Sequence, residues 1–220
     1  CNSIGSKKSL QKLMINKSKV ISIYNPYLKK IRKKKKIQKQ NYAISVGRLT
    51  KQKDHQTLVK AMKIVSKKES NFKLLIIGDG DQRKFINDQI KRDNLTKNIK
   101  LLGWKKNLDR YYKSAKIFIL PSLYEGLGNV LIDAVNFDVP VITTNCKSGP
   151  SEIIMKNKGG FIVPISDSEQ IAKKILYCLK NYKLALKKAY YAKKNILRFS
   201  ETKNSEKYFK ELVKVLYEKS

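Results

Sequence analysis

Hydrophobic residues fall along the chain in short apolar runs separated by longer amphipathic stretches. Tyr42-Ala-Ile-Ser-Val46, Phe72-Lys-Leu-Leu-Ile-Ile77, Ile99-Lys-Leu-Leu102, Lys116-Ile-Phe-Ile-Leu120, Val139-Pro-Val-Ile-Thr143 and Gly159-Gly-Phe-Ile-Val163 are short and partly β-branched. Runs of that length and type predict buried strands. Between them Leu58, Ala61, Met62 and Val65 recur at i, i+3, i+4 and i+7, and so do Leu108, Tyr111, Tyr112 and Ala115. That period is one face of an amphipathic helix. Further helices are predicted carrying Phe85, Ile86 and Ile90, over 129–135, and with Ile171, Ile175, Cys178 and Leu179 inward. Strands alternating with helices through residues 42–163 imply an α/β domain with a doubly wound parallel sheet.

Helix signals sharpen the boundaries. Asp54 is a good cap for the stretch that follows it. Asp167 and Gln170 have capping-box spacing. Gly149, Pro150 and Glu152 read as a helix start, which accounts for Glu152 structurally. Gly78-Asp-Gly-Asp81 reads as a tight strand-to-helix turn with Asp81 as cap, because a lone G-x-G lacks the full dinucleotide fingerprint. Residues 1–40 read as a connector from a preceding domain, and the start at Cys1 points to a fragment. Within it, Lys7–Met14 predicts a short helix, Lys19–Tyr24 a strand and Asn25-Pro26 a turn. Lys29–Lys36 is nearly all basic and predicts a mobile loop. The main domain is placed at 41–182. Residues 183–198 and 203–218 predict two helices, so 183–220 forms a C-terminal helical unit.

Candidate chemistry gathers just after the strands, where parallel sheets bind ligands. In Gly47-Arg-Leu-Thr-Lys-Gln-Lys53, Arg48 offers a fork of donors and Lys53 a compact charge, a pair suited to a diphosphate. In Pro121-Ser-Leu-Tyr-Glu-Gly-Leu-Gly-Asn129, Gly126 and Gly128 let the backbone approach a ligand, and the helix starting near Asn129 offers free N–H groups to an anion. Glu125 lies in this loop and Asp133 inside the helix. Gly103-Trp104 ends the third strand. Each feature also has a plain reading: solvated acids flanking an ordinary turn, one lysine among many, a partly exposed packing tryptophan.

Taken together, these motifs resemble retaining glycosyltransferases of family 4, which have the GT-B fold. The resemblance covers about residues 19–200. Their signature is a Glu, seven residues and a second Glu; Glu125 matches the first, and Asp133 stands in for the second with an arm one methylene shorter. The resemblance implies a Rossmann-like C-terminal domain that holds a nucleoside-diphosphate sugar, expected to be a UDP-sugar. Glu125, Arg48 and Lys53 would be catalytic. Gly47, Gly103, Trp104, Gly126, Leu127, Gly128, Asn129 and Asp133 would bind the donor, with Gly103 and Trp104 at the base and Asp133 at the ribose. The implied reaction moves a hexosyl group, with retention, to a glycan or lipid-linked acceptor in surface polysaccharide or lipopolysaccharide synthesis. No metal and no separate cofactor are expected.

Composition adds a compartment and a field. His55 is the only histidine, which nearly excludes His-based dyads. Cys1, Cys146 and Cys178 form no framework or metal spacing, which fits a reducing cytosol. No apolar run approaches a transmembrane length. The chain carries 49 Lys and Arg against 17 Asp and Glu, a net charge of +32. Such a field attracts polyanions or an anionic membrane, so a peripheral position at the inner membrane face is expected. Leu184, Leu186, Tyr190 and Tyr191 among lysines could lie on that membrane or pack on the sheet. The rival classes are a polyanion- or nucleic-acid-binding module, which the diffuse lysines do not favour, and an inactive remnant.

Overall fold

The computed structural model describes residues 1–13, 20–32 and 38–217. Six strands form one parallel sheet: β1 (Tyr42–Val46), β2 (Lys73–Ile77), β3 (Ile99–Leu101), β4 (Ile117–Leu120), β5 (Val141–Thr144) and β6 (Phe161–Val163). Their order across the sheet is β3-β2-β1-β4-β5-β6, with every neighbouring pair parallel. The chain therefore builds outward from β1 in one direction and from β4 in the other. The crevice between β1 and β4 is the switch point at which such sheets bind ligands.

Side-chain alternation along the strands divides the core between two faces. Ala43, Leu74, Ile76, Ile117, Ile119 and Ile142 pack with α2 (His55–Lys68), α3 (Arg83–Arg92) and α7 (Ser168–Lys180). Ile44, Val46, Ile77, Phe118, Leu120 and Val141 pack with α4 (Asp109–Ser114), α5 (Asn129–Asn136) and α8 (Tyr182–Lys194). Both faces are covered, so the strands read as unbroken apolar runs. On the second face Tyr112 stacks on Phe137 with centroids 5.4 Å apart and on Phe118 at 5.8 Å.

Local cap signals hold at Asp54 and Asp167. The Asp54 carboxylate accepts from the Thr57 amide at 3.3 Å and its hydroxyl at 2.8 Å, and Asp167 accepts from the Gln170 amide at 2.9 Å. Asp81 is not a cap: α3 starts after Gln82, without a side-chain cap. On α3 Ile86 and Ile90 fill the buried stripe, while Phe85 is 49% exposed. On α8 the inward positions are Ala185, Ala189 and Ala192, small enough to bring the helix close, while Leu184, Tyr190 and Tyr191 face outward.

The first residues differ most from expectation. α1 (Ile4–Leu13) starts one turn earlier than Lys7. Residues 20–24 form no strand: the Ile21 carbonyl accepts from the Cys1 amino group at 3.1 Å and the Ile23 amide donates to the Cys1 carbonyl at 2.9 Å. Farther along this segment the Tyr27 and Leu28 amides donate to the Phe199 carbonyl, while the Glu201 amide, opening α9 (Glu201–Tyr217), donates to the Leu28 carbonyl. Part of the basic run is docked: Arg32 pairs with Asp109 at 2.7 Å and lies 4.2 Å from the Phe137 ring centroid. Met14, Lys19, residues 33–36 and Glu218 lie outside the described residues. Among the described residues no helix is long and apolar enough to cross a membrane.

His55 is packed against β1 at 2% exposure, with Ser45 Oγ 3.2 Å from Nε2 and no partner for Nδ1 among the described residues. Burial, with help from the nearby Lys53 charge, lowers its pKa from 6.5 to about 4. The unfolded chain then binds a proton that the fold refuses between pH 6.5 and 4. This stability is whole above pH 6.5 and is lost as pH falls through that window, by about 3 kcal/mol at most. Denaturant titrations of wild type and His55→Gln across pH 4–7 should show the loss in wild type only. Asp133, whose raised pKa acts in the opposite direction, is common to both proteins and cancels in the difference.

Candidate active site

The site forms where the β1 and β4 loops meet. Lys51–Lys53 makes one 3-10 turn after β1. The Gln52 carbonyl accepts from the Leu123 amide and the Gln52 side chain donates to the Tyr124 carbonyl, both at 2.9 Å. This stitching sets Lys53 against Glu125, whose side chains are 13% and 7% exposed and form an ion pair. Ser122 Oγ donates to the same carboxylate oxygen, Oε1, at 2.6 Å. Both bonds fall on Oε1, so Oε2 is the oxygen left for a ligand hydroxyl. Ser148 Oγ donates to the Glu125 carbonyl at 2.7 Å and fixes the loop from the β5 side. The sequence reading missed Ser122 and Ser148. Ser122 had a signal in its place directly after β4, whereas Ser148 comes into reach only through sheet order.

α5 begins directly behind Glu125. Its N-cap, Gly128, has no side chain to bond the first-turn amides, so these remain available to an anion at the positive end of the helix dipole. Gly149 makes the neighbouring loop possible. Its φ is +77°, and a Cβ there would lie 2.4 Å from the Gly126 carbonyl and 2.5 Å from the Leu127 Cα. On the β1 side Arg48 is exposed and forms no ion pair among the described residues. Gly47 lets the Lys53 stem pass, with a built Cβ 3.4 Å from it.

The row of loops continues toward β3. At Gly78 a Cβ would fall 1.9 Å from the Gly47 carbonyl, so the β1 and β2 loops touch through backbone alone. The Gly78 amide donates to the Gly103 carbonyl at 2.9 Å. Trp104 follows, 71% exposed at the end of β3. Strands lie about 4.8 Å apart, so the edge from Trp104 to Glu125 spans three intervals, about 14 Å. That is the scale of an extended nucleotide sugar. Among the described residues no three His, Cys, Asp or Glu side chains converge as metal ligands.

Asp133 is placed differently from Glu125. Its Oδ2 accepts from the Tyr27 hydroxyl at 2.6 Å. Asn129 and Asn136 share its side of α5, and they bond Asn25 and the Lys30–Arg32 backbone. The polar stripe of α5 thus holds the incoming segment at three rungs. Glu152 has a task unforeseen from its position: its carboxylate accepts from the Ile4 and Gly5 amides at 3.0 and 2.9 Å and caps α1. Tyr24 adds a third bond at 3.1 Å. Asn2 lies against Gly126, so the N-terminal residues rest on the rim of the site.

With this geometry in place, likeness to known proteins decides the family. A profile described as "Glycosyl transferases group 1" matches residues 28–195. The chain belongs to that family. The amylovoran biosynthesis glycosyltransferase AmsD of Erwinia amylovora is 38% identical over 131 residues, 60% of this chain and 36% of that protein. A point mutant of Staphylococcus aureus TarM, solved with fondaparinux, α-GlcNAc-glycerol and UDP, is 25% identical with a TM-score of 0.87, covering 95% of this chain and 42% of that one. Anabaena HepE with UDP-glucose has the same TM-score at 19% identity, covering 97% of this chain and 63% of that one, and supports the fold alone. The fold is Rossmann-like and similar to GT-B glycosyltransferases. The chain spans 27–51% of the length of three curated relatives it matches.

Desolvation in the α5 packing raises the Asp133 pKa from 3.8 to about 6, and the Tyr27 hydrogen bond holds it lower than burial alone would. Tyr27→Phe should therefore move the carboxyl upward from 6. Carbon-detected NMR titration of Asp133 in both proteins reads this, and an unmoved midpoint would mean that Tyr27 does not hold the carboxylate in solution.

Proposed function

We propose that this chain is the donor-binding half of a retaining glycosyltransferase that moves a hexosyl group from a UDP-sugar to a glycan or lipid-linked acceptor. The observation that carries the reading is the Lys53–Glu125 pair joining the β1 and β4 loops beside an uncapped helix start, with the exposed Arg48 on the same β1 loop. Family membership and the UDP in the TarM structure support it.

In this reading the diphosphate lies between Arg48, Lys53 and the first amides of α5. When the bond from the anomeric carbon to the diphosphate oxygen breaks, the electron pair leaves with the diphosphate. Fixed cations and oriented amides are already aimed at that growing negative charge, and so they lower the barrier. A bound phosphate would compete with Glu125 for Lys53 and so free part of the carboxylate. Glu125 would then orient the sugar through hydrogen bonds to its hydroxyls and face the positive charge on the anomeric carbon. The acceptor hydroxyl attaches on the face from which the diphosphate departs and gives up its proton to an oxygen of that diphosphate. Asp133, held by Tyr27 through one oxygen, keeps the other for ribose, while Gly103 and Trp104 face the base. The excess of lysine would draw the protein to an anionic inner membrane face, where lipid-linked acceptors reside.

Calorimetry with UDP tests the reading. Arg48→Ala should weaken UDP binding by about 1.5–3 kcal/mol, roughly 10- to 150-fold, the loss of charge-assisted hydrogen bonds. Unchanged UDP affinity would remove Arg48 from the site. A thermal-shift screen of nucleoside diphosphates should show stabilisation that depends on the base. Equal shifts with every nucleotide, fading steeply with salt, would instead mark simple polyanion attraction.

A further inference from the structure

On the outer side of the sheet's first face, α2 and α3 leave an open groove of about 480 Å³, a volume within the usual range of ligand sites. α2 contributes Gln56, Lys60 and Lys63; α3 contributes Phe85, Gln89 and Arg92; Asp93 follows directly after α3. On each helix the three residues follow at spacings of four and three, so each set forms one continuous stripe.

The decisive feature is an acceptor without a donor. Gln89 is 5% exposed and its Nε2 donates to the Gln56 carbonyl at 3.2 Å, yet its buried Oε1 has no hydrogen-bond partner among the described residues. A buried acceptor left unmet carries a desolvation cost; Gln89 lines the groove, and turning its amide outward would present this acceptor to a ligand hydroxyl. Phe85 adds a half-exposed ring, with the Arg92 guanidinium 6.0 Å from its centroid. Lys60, Lys63 and Arg92 against Asp93 leave two positive charges in excess. Lys63 is paired with Asp93 at 2.6 Å, whereas Lys60 has no ion pair among the described residues.

A hydroxyl acceptor, one exposed ring and surplus cations are the recognition set for a sugar that bears acid groups. The ring covers the apolar face of a pyranose, the amide takes a hydroxyl, and the cations take the anionic substituent. Single-stranded nucleic acid stacks successive bases on several aromatic side chains, and this groove has one. We propose that the groove between α2 and α3 binds an acidic glycan segment through Gln89, Phe85, Lys60 and Arg92. This site is separate from the donor crevice and does not rest on the transferase reading.

Calorimetry with a size-defined oligogalacturonate tests it, with a neutral oligodextran of equal length, inorganic phosphate and a single-stranded oligonucleotide as controls. The oligogalacturonate should bind saturably and at least tenfold more tightly than the dextran, with no saturable phosphate binding. Gln89→Leu, which keeps bulk and removes the acceptor, and Phe85→Ala should each weaken it at least fivefold. UDP affinity, measured on the same samples, should not change, so the two readings fail separately. The proposal falls if the oligogalacturonate does not saturate, or if phosphate or the oligonucleotide binds as tightly. It falls equally if Lys60→Glu weakens binding while Gln89→Leu and Phe85→Ala leave it intact, the mark of unspecific charge attraction.

Discussion

The ion pair between Lys53 and Glu125 bridges the one place where the sheet changes direction. Strands β1 and β4 are neighbours in space but are separated by two other strands in the chain, and their loops have no covalent reason to stay in register. A buried pair of this kind is poor evidence for stability, because desolvation offsets most of the attraction. Its effect is positional. It holds a carboxylate and an ammonium in fixed places beside the loop that carries Arg48, and Ser122 and Ser148 complete the support. The N-terminus of α5 and the chain of loops toward β3 then inherit a common frame.

α5 links that frame to the rest of the molecule because its three aspects have different tasks. Leu131, Ile132, Ala134 and Val135 are buried. The first turn opens on the crevice. The stripe of Asn129, Asp133 and Asn136 grips residues 25–32. The same segment ties down the α8–α9 junction through Leu28 and Phe199. Residues early in the chain are thus bonded to the helix that faces the candidate diphosphate position, with Tyr27 in direct contact with the carboxylate at 133.

Much of the fold was legible because buried strands and capped helices leave local signals. All six strands, the Asp54 and Asp167 caps and the start at Pro150 follow from residues a few positions apart. Sheet order left no such trace, and so the location of the crevice could not be read. The basic residues at 48 and 53 read as the two cations of one diphosphate clamp, whereas packing sets them apart: Lys53 is buried against an acid and Arg48 stands in solvent. The Glu152 cap on α1 joins residues 147 positions apart and has no sequence signature. Residues 20–24 misled in a different way: they have strand-like composition, but their backbone bonds Cys1 instead.

The contact between the loops at 126–127 and 149 limits how this end of the molecule can change. With no side chain between the two backbones, neither loop can yield alone. Evolution toward a larger ligand would thus have to displace both together or replace the turn outright. Diversity among descendants of this scaffold should accumulate in the flanking side chains, while that backbone seam persists as a shared hinge-free jaw.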